Sequence, residues 1–367
     1  MREEMTSKER FINALEMKDV DRVPYGYLWF GAGDAVLKRM NTSMKDVYYS
    51  SEGIAKAQML AREMYHHDNV MSPWGCLLVE AEALGTIVNI KEDRYPTVAE
   101  YALKSSKEYD TIEPQNIKKS ERIETVSKSV SILKKELNDE VFITGSIMSP
   151  LMLATQVLEM VKLCEEMIME KENVHYLLER LTDGSILYAD RMLEEGVDGF
   201  LVENGENTAD LFSPQMADEF ALKYTKKLYN HIHKNGGYVI SHNCAEHAFH
   251  EKDVSMKPDA MNFAFGDVSS LGNRYGVECI KNHNHKNIGC GPRYCFKDFE
   301  KYRTCLMGNI NPNVFGNGSL DDIENEVESC IKAAPNKGFI LSTGCEIPLG
   351  TKQEKMDTLW NTMKSHF

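Results

Sequence analysis

The sequence predicts an α/β fold, a (β/α)8 TIM barrel with an N-terminal helical extension. About eight short apolar runs, rich in β-branched or aromatic residues, alternate with longer stretches of helical periodicity. No Pro/Gly/Ser-rich linker, low-complexity segment or internal repeat divides the 367 residues. Neither a G-x-G-x-x-G after the first run nor a G-x-x-x-x-G-K-[ST] occurs, which removes the usual marks of an open nucleotide-binding sheet. Alternating strands and helices imply parallel pairing, and eight such units suit a closed barrel better than a doubly wound sheet. The chain is read as one domain, 1–367, with a long inserted loop at about 268–303.

The elements follow in order. The start, MREEMTSKERF, is charged where a signal peptide needs an apolar stretch, so a reducing cytoplasmic location is expected. The strand runs are 23–30 (VPYGYLWF), 69–73 (NVMSP), 141–147 (VFITGSI), 197–204 (VDGFLVEN), 238–244 (YVISHNC), 259–265 (DAMNFAF), 305–310 (CLMGNI) and 338–345 (GFILSTGC). His66 and His67 stand just before the second run and are expected on the surface. By its length the stretch 151–195 should hold two helices. A helix is expected over 214–235, with Ser213 as cap and Pro214 in its first turn, and another over 319–334 behind Ser319. Asn309 and the 311–313 NPN turn are expected to shape a loop between strand and helix.

Composition removes several function classes. Acidic residues outnumber basic ones 56 to 42, a net charge of −14 that would repel a phosphate backbone, so nucleic acid is not an expected partner. No uninterrupted apolar stretch reaches the roughly 18 residues of a membrane span, so no membrane role is expected. Nine cysteines, an odd number with no C-x-x-C pair, argue for isolated thiols or metal ligands rather than a disulfide scaffold. An oligomer is compatible with the sequence.

The most informative pattern is His242-Asn243-Cys244 at the end of a strand run. Residues two apart on a strand point to one face, about 6 to 7 Å apart along the chain, so imidazole and thiol can converge. The competing reading is a packed histidine beside a buried free cysteine. Cys345 ends the last run and offers a third ligand, and one imidazole with two thiolates matches a catalytic zinc set with an open position. Glu203 and Asp267, at or near strand ends, are candidates to orient substrate or add a ligand, against the plainer reading of solvated strand ends. His283, His285, Cys290 and Cys295 are a weaker candidate for a second metal site, because their spacing fits no standard zinc motif.

These motifs resemble the uroporphyrinogen decarboxylase superfamily and, within it, the zinc-dependent corrinoid methyltransferase branch. The resemblance rests on 9-ERFINALEMKDVDRVPYG, 82-EALG, 145-GSIMSPLMLA, 196-GVDGFLVENGENTADLFSP, 238-YVISHNC, 307-MGNINPNVF and 338-GFILSTGCEIP. The H-x-C and distant S-T-G-C are its specific part. It implies zinc ligands at His242, Cys244 and Cys345, with Glu203 as an acidic residue near the zinc pocket. It also implies methyl transfer between a corrinoid (methylcobamide) supplied by a carrier protein and a small-molecule substrate activated by Zn2+, a thiol such as coenzyme M or a methylated donor. Two other readings stand beside it, a metal-free decarboxylase of this fold and a non-catalytic partner of a corrinoid protein. The decarboxylases carry an N-terminal arginine-rich grip for propionates, and 23–40 here has no such run.

Overall fold

The computed structural model describes residues 4–75, 78–264 and 303–367. Asp267, His283, His285, Cys290 and Cys295 lie outside the described residues, as does the 268–303 loop apart from Arg303. No helix of the described residues is long and apolar enough to cross a membrane.

Seven strands form one parallel sheet: β1 (Asn69–Ser72), β4 (Phe142–Met148), β5 (Gly199–Glu203), β6 (Tyr238–Asn243), β7 (Ala260–Phe263), β8 (Cys305–Ile310) and β9 (Phe339–Thr343), neighbours in that order. A short antiparallel pair, β2 (Ile87–Asn89) with β3 (Thr97–Glu100), stands outside it and has no counterpart in the sequence expectation. The first apolar run fills the eighth place in the ring by a bridge rather than a ladder. Tyr25 bridges Leu341 in the parallel sense, with Gly26 N–H donating to the Leu341 carbonyl at 2.8 Å. On the other side Asp68 N–H donates to the Tyr25 carbonyl at 2.8 Å. The Asn69 amide then brackets Tyr27, accepting from its N–H at 2.7 Å and donating to its carbonyl at 3.1 Å. The approach is close at this crossing, since a Cβ on Gly26 would stand 2.5 Å from Met307 Cε and 3.1 Å from Ile340 Cγ2, so a larger residue would displace the Met307 side chain.

Strand alternation sorts the core into two layers. Met71, Phe142, Leu201, Ile240, Ala260, Met307 and Ile340 fill the barrel, and their chain neighbours pack outward against the helices. The N-terminal helix Ser7–Leu15 closes the barrel floor with Phe11, which stacks on Phe142 at 4.5 Å between centroids. Burying a side chain of that size stabilises the fold by about 1.5–3 kcal/mol. Polar anchoring accompanies it: Arg10 and Arg22 both reach Asp68, at 2.7 Å each, and Arg10 also holds Asp21 at 2.6 Å.

Three expectations need correction. The stretch 151–195 holds three helices, Pro150–Val157, Met160–Met169 and Lys171–Glu195, because Leu158 turns extended and Glu159 caps the next helix by accepting from Lys162 N–H at 3.1 Å. His67 is buried, not superficial: it stacks on Tyr27 at 4.2 Å between ring centroids, and only His66 is exposed. Asn309 lies within β8 and is buried, whereas the turn after it is made by Asn311, whose Oδ1 accepts from Asn313 N–H at 3.0 Å. The helices expected behind Ser213 and Ser319 form with those hydroxyls as caps, the first passing through a π-helical turn at Ala217–Leu222.

Candidate metal centre

Because all seven strands run the same way, their carboxyl ends gather on one rim. Glu203 closes β5 and pairs in register with His242 of β6, which pairs in turn with Asn262 of β7. Cys244 follows β6 by one residue and Cys345 follows β9 by two, so the sequence separation of about a hundred residues collapses at this rim. One ligand atom from each of His242, Cys244 and Cys345 lies within 4.8 Å of the other two. Among the described residues no other such group of histidine, cysteine or acidic side chains occurs.

The three differ in exposure: His242 is buried, Cys345 half-buried and Cys244 exposed. The imidazole is fixed on two sides. Its Nδ1 meets Asn262 Oδ1 at 2.5 Å, and the Trp29 ring stands edge-on at 4.8 Å, itself held by a 3.0 Å bond from Nε1 to Ser146 Oγ. Burial alone would lower the His242 pKa, but the Cys244 sulfur and the Glu203 carboxylate raise it to about 9. Hydrogen bonding from Cys345 draws the Cys244 thiol down toward the thiolate, with His242 assisting, while Cys345 is pushed up by Cys244 and by burial.

Acidic side chains surround the cluster. Burial raises the Glu203 pKa to about 8, reinforced by Cys244, Glu346 and Glu206, and its Oε1 has no hydrogen-bond partner among the described residues. Burial likewise raises Glu206 to about 8 and Glu346 to about 7. Ser149 donates to Glu206, and Phe30 N–H to Glu346 at 2.7 Å. Sequence reasoning singled out Glu203 but missed Glu206, Glu346 and Asn262. Signals for two of them existed: Glu346 directly follows Cys345, and Glu206 sits three residues beyond Glu203 in the segment quoted above.

The donor set fits a zinc ion. Tetrahedral zinc takes sulfur at about 2.3 Å and imidazole nitrogen at about 2.0–2.1 Å, so ligand atoms stand about 3.3–3.8 Å apart. The cluster reaches that spacing by side-chain adjustments of about 1 Å.

Comparison with known proteins agrees with this architecture. The model of the uroporphyrinogen decarboxylase (URO-D) family matches residues 6–366. The methylcobamide:CoM methyltransferase MtaA of Methanosarcina barkeri (strain Fusaro) is 26% identical over 359 residues, covering 97% of each chain. The uroporphyrinogen decarboxylase of Protochlamydia amoebophila is 23% identical over 369 residues, covering 97% of this chain and 91% of its own. A solved methyltransferase from Methanosarcina mazei superposes with a TM-score of 0.82 at 20% identity over 99% of both chains, which shows the shared fold. With residues 6–366 matched, the chain belongs to the uroporphyrinogen decarboxylase family.

Proposed function

We propose that the protein is a zinc-dependent methyltransferase that moves a methyl group between a corrinoid carried by a partner protein and a small molecule bound at the rim, either a thiol or a methylated donor. The observation that carries this reading is the convergence of His242, Cys244 and Cys345. When bound there, zinc supplies Lewis acidity that lowers the pKa of a coordinated thiol from about 8.5 to below neutral. The residues of the chain do the rest. Cys244 and Cys345 provide two thiolates, and His242 a neutral nitrogen held in place by Asn262 and Trp29. Glu203, which burial keeps protonated at neutral pH and whose Oε1 has no partner among the described residues, is placed beside Cys244 to donate a hydrogen bond to a bound substrate, and the proton of an incoming thiol passes to solvent. Glu206 and Glu346, fixed by Ser149 and Phe30, add two more buried carboxyl groups near that position, with ionisation that burial pushes up toward neutral pH.

Decarboxylation of a porphyrinogen is disfavoured because the stretch 23–40 has no arginine-rich run and two of the early arginines are committed elsewhere. Arg10 and Arg22 are paired with Asp21 and Asp68 at the barrel floor.

Elemental analysis of the purified protein is expected to give about one zinc per chain, lost on Cys244→Ala or Cys345→Ala. Methyl transfer from methylcobalamin to a panel of thiols should follow the zinc content. A wild-type protein that stays zinc-free after metal loading, or one whose transfer survives loss of both cysteines, would refute the proposal.

A further inference from the structure

Asn262 is fully buried at the end of β7, and every hydrogen-bonding site of its amide that faces protein is used. Its Nδ2 donates to the carbonyls of Met307 at 3.0 Å and Thr343 at 3.2 Å. Carbonyls only accept, so the amide nitrogen has to face them and the amide oxygen is left toward His242. That oxygen also only accepts, so the His242 nitrogen 2.5 Å away carries the hydrogen. The imidazole tautomer is therefore dictated from the neighbouring strand.

Resting on the zinc reading above, we infer that Asn262 is the positioning residue of the metal centre. It fixes the Nδ1–H tautomer of His242, so that Nε2 is the nitrogen presented to the ion. The same amide also grips the chain at Thr343, the last residue of β9 and two before Cys345. One side chain thus controls the approach of two ligands, one through the ring and one through the backbone. A carbonyl or carboxylate oxygen behind a ligating histidine fixes its orientation and raises its basicity, and losing it typically costs about 10–100-fold in metal affinity.

The test uses the full chain and two readouts independent of turnover. Long-range proton–nitrogen correlation of the histidine rings should show His242 Nδ1 protonated and, in the zinc-loaded protein, Nε2 bound to metal. Zinc bound through Nδ1 would overturn the inference without any variant. Chelator competition then gives zinc affinity for Asn262→Leu and Asn262→Asp. The leucine variant, which loses the acceptor, is expected to bind about 10–100-fold more weakly. The aspartate variant keeps the acceptor and should stay near wild type, although it loses the donation to Met307 and Thr343. An equal loss in both variants would reduce Asn262 to a tie between strands and overturn the inference, as would no loss in either. Should Asn262→Leu fail to fold, Asn262→Ala takes its place against Asn262→Asp, with melting curves confirming that each is native. A wild type that binds no zinc fells the functional reading and this inference together, whereas zinc held through Nε2 with unaffected variants fells the inference alone.

Discussion

A histidine is defined by what its two nitrogens meet, and His67 and His242 show opposite outcomes. His67 is buried in the wall behind Tyr27, where its Nδ1 bonds the Asn69 carbonyl, and burial lowers its pKa from 6.5 to about 3. The unfolded chain binds this proton below about pH 6.5 and the native one does not until about pH 3. Its contribution to stability is thus complete above 6.5 and is lost as pH falls across that window. In melting temperatures taken between pH 7 and 4, His67→Phe should show a shallower acid decline than the wild type, whatever its stability at neutral pH. Parallel curves would remove His67 as a source of acid sensitivity. At this scale sequence pattern was a partial guide: His242, Cys244, Cys345 and Glu203 could be picked out because they end apolar strand runs. His67 was misplaced because nothing local distinguishes a histidine that stacks under a tyrosine from one in water.

Helix starts were read well because a cap is a local device. Ser319 accepts from Asp322 N–H at 3.2 Å while Asp322 Oδ2 accepts from Ser319 N–H at 2.7 Å, a reciprocal pair contained within four residues. Ser319→Ala should lower the unfolding free energy by about 1 kcal/mol in urea titration, with zinc content unchanged. A change within error would mean that packing alone starts this helix. Helix ends inside an apolar stretch were harder to read. The breaks at Leu158 and Glu170 contain neither glycine nor proline, and the chain departs from helical angles there in order to lay three segments against different neighbours.

At the scale of the whole barrel, closure depends on a few bonds where the first run meets its neighbours, backbone ones at β9 and both backbone and side-chain ones beside β1. The Asn69 side chain supplies two of them, both to the Tyr27 backbone, and also donates to Thr144 Oγ1 on β4 at 3.0 Å. Asn69→Ala leaves buried Tyr27 groups unpartnered and should cost about 2–4 kcal/mol, read as a lower urea midpoint. The folded fraction should still take up zinc, because the rim ligands come from β6 and β9; loss of zinc in that fraction would place ring closure and metal binding in one cooperative unit. By itself the sequence determined the barrel class, the parallel order and the capped helices, and it picked out His242, Cys244 and Cys345 as candidate ligands, since strand alternation and cap chemistry act over a few residues. Only the tertiary structure decided that the first run closes the ring by a bridge, that Glu206 and Glu346 join Glu203 around the ligands, and that Asn262 stands behind His242. Those depend on register between strands that are distant in sequence, and register is fixed by packing of the whole sheet rather than by any short segment.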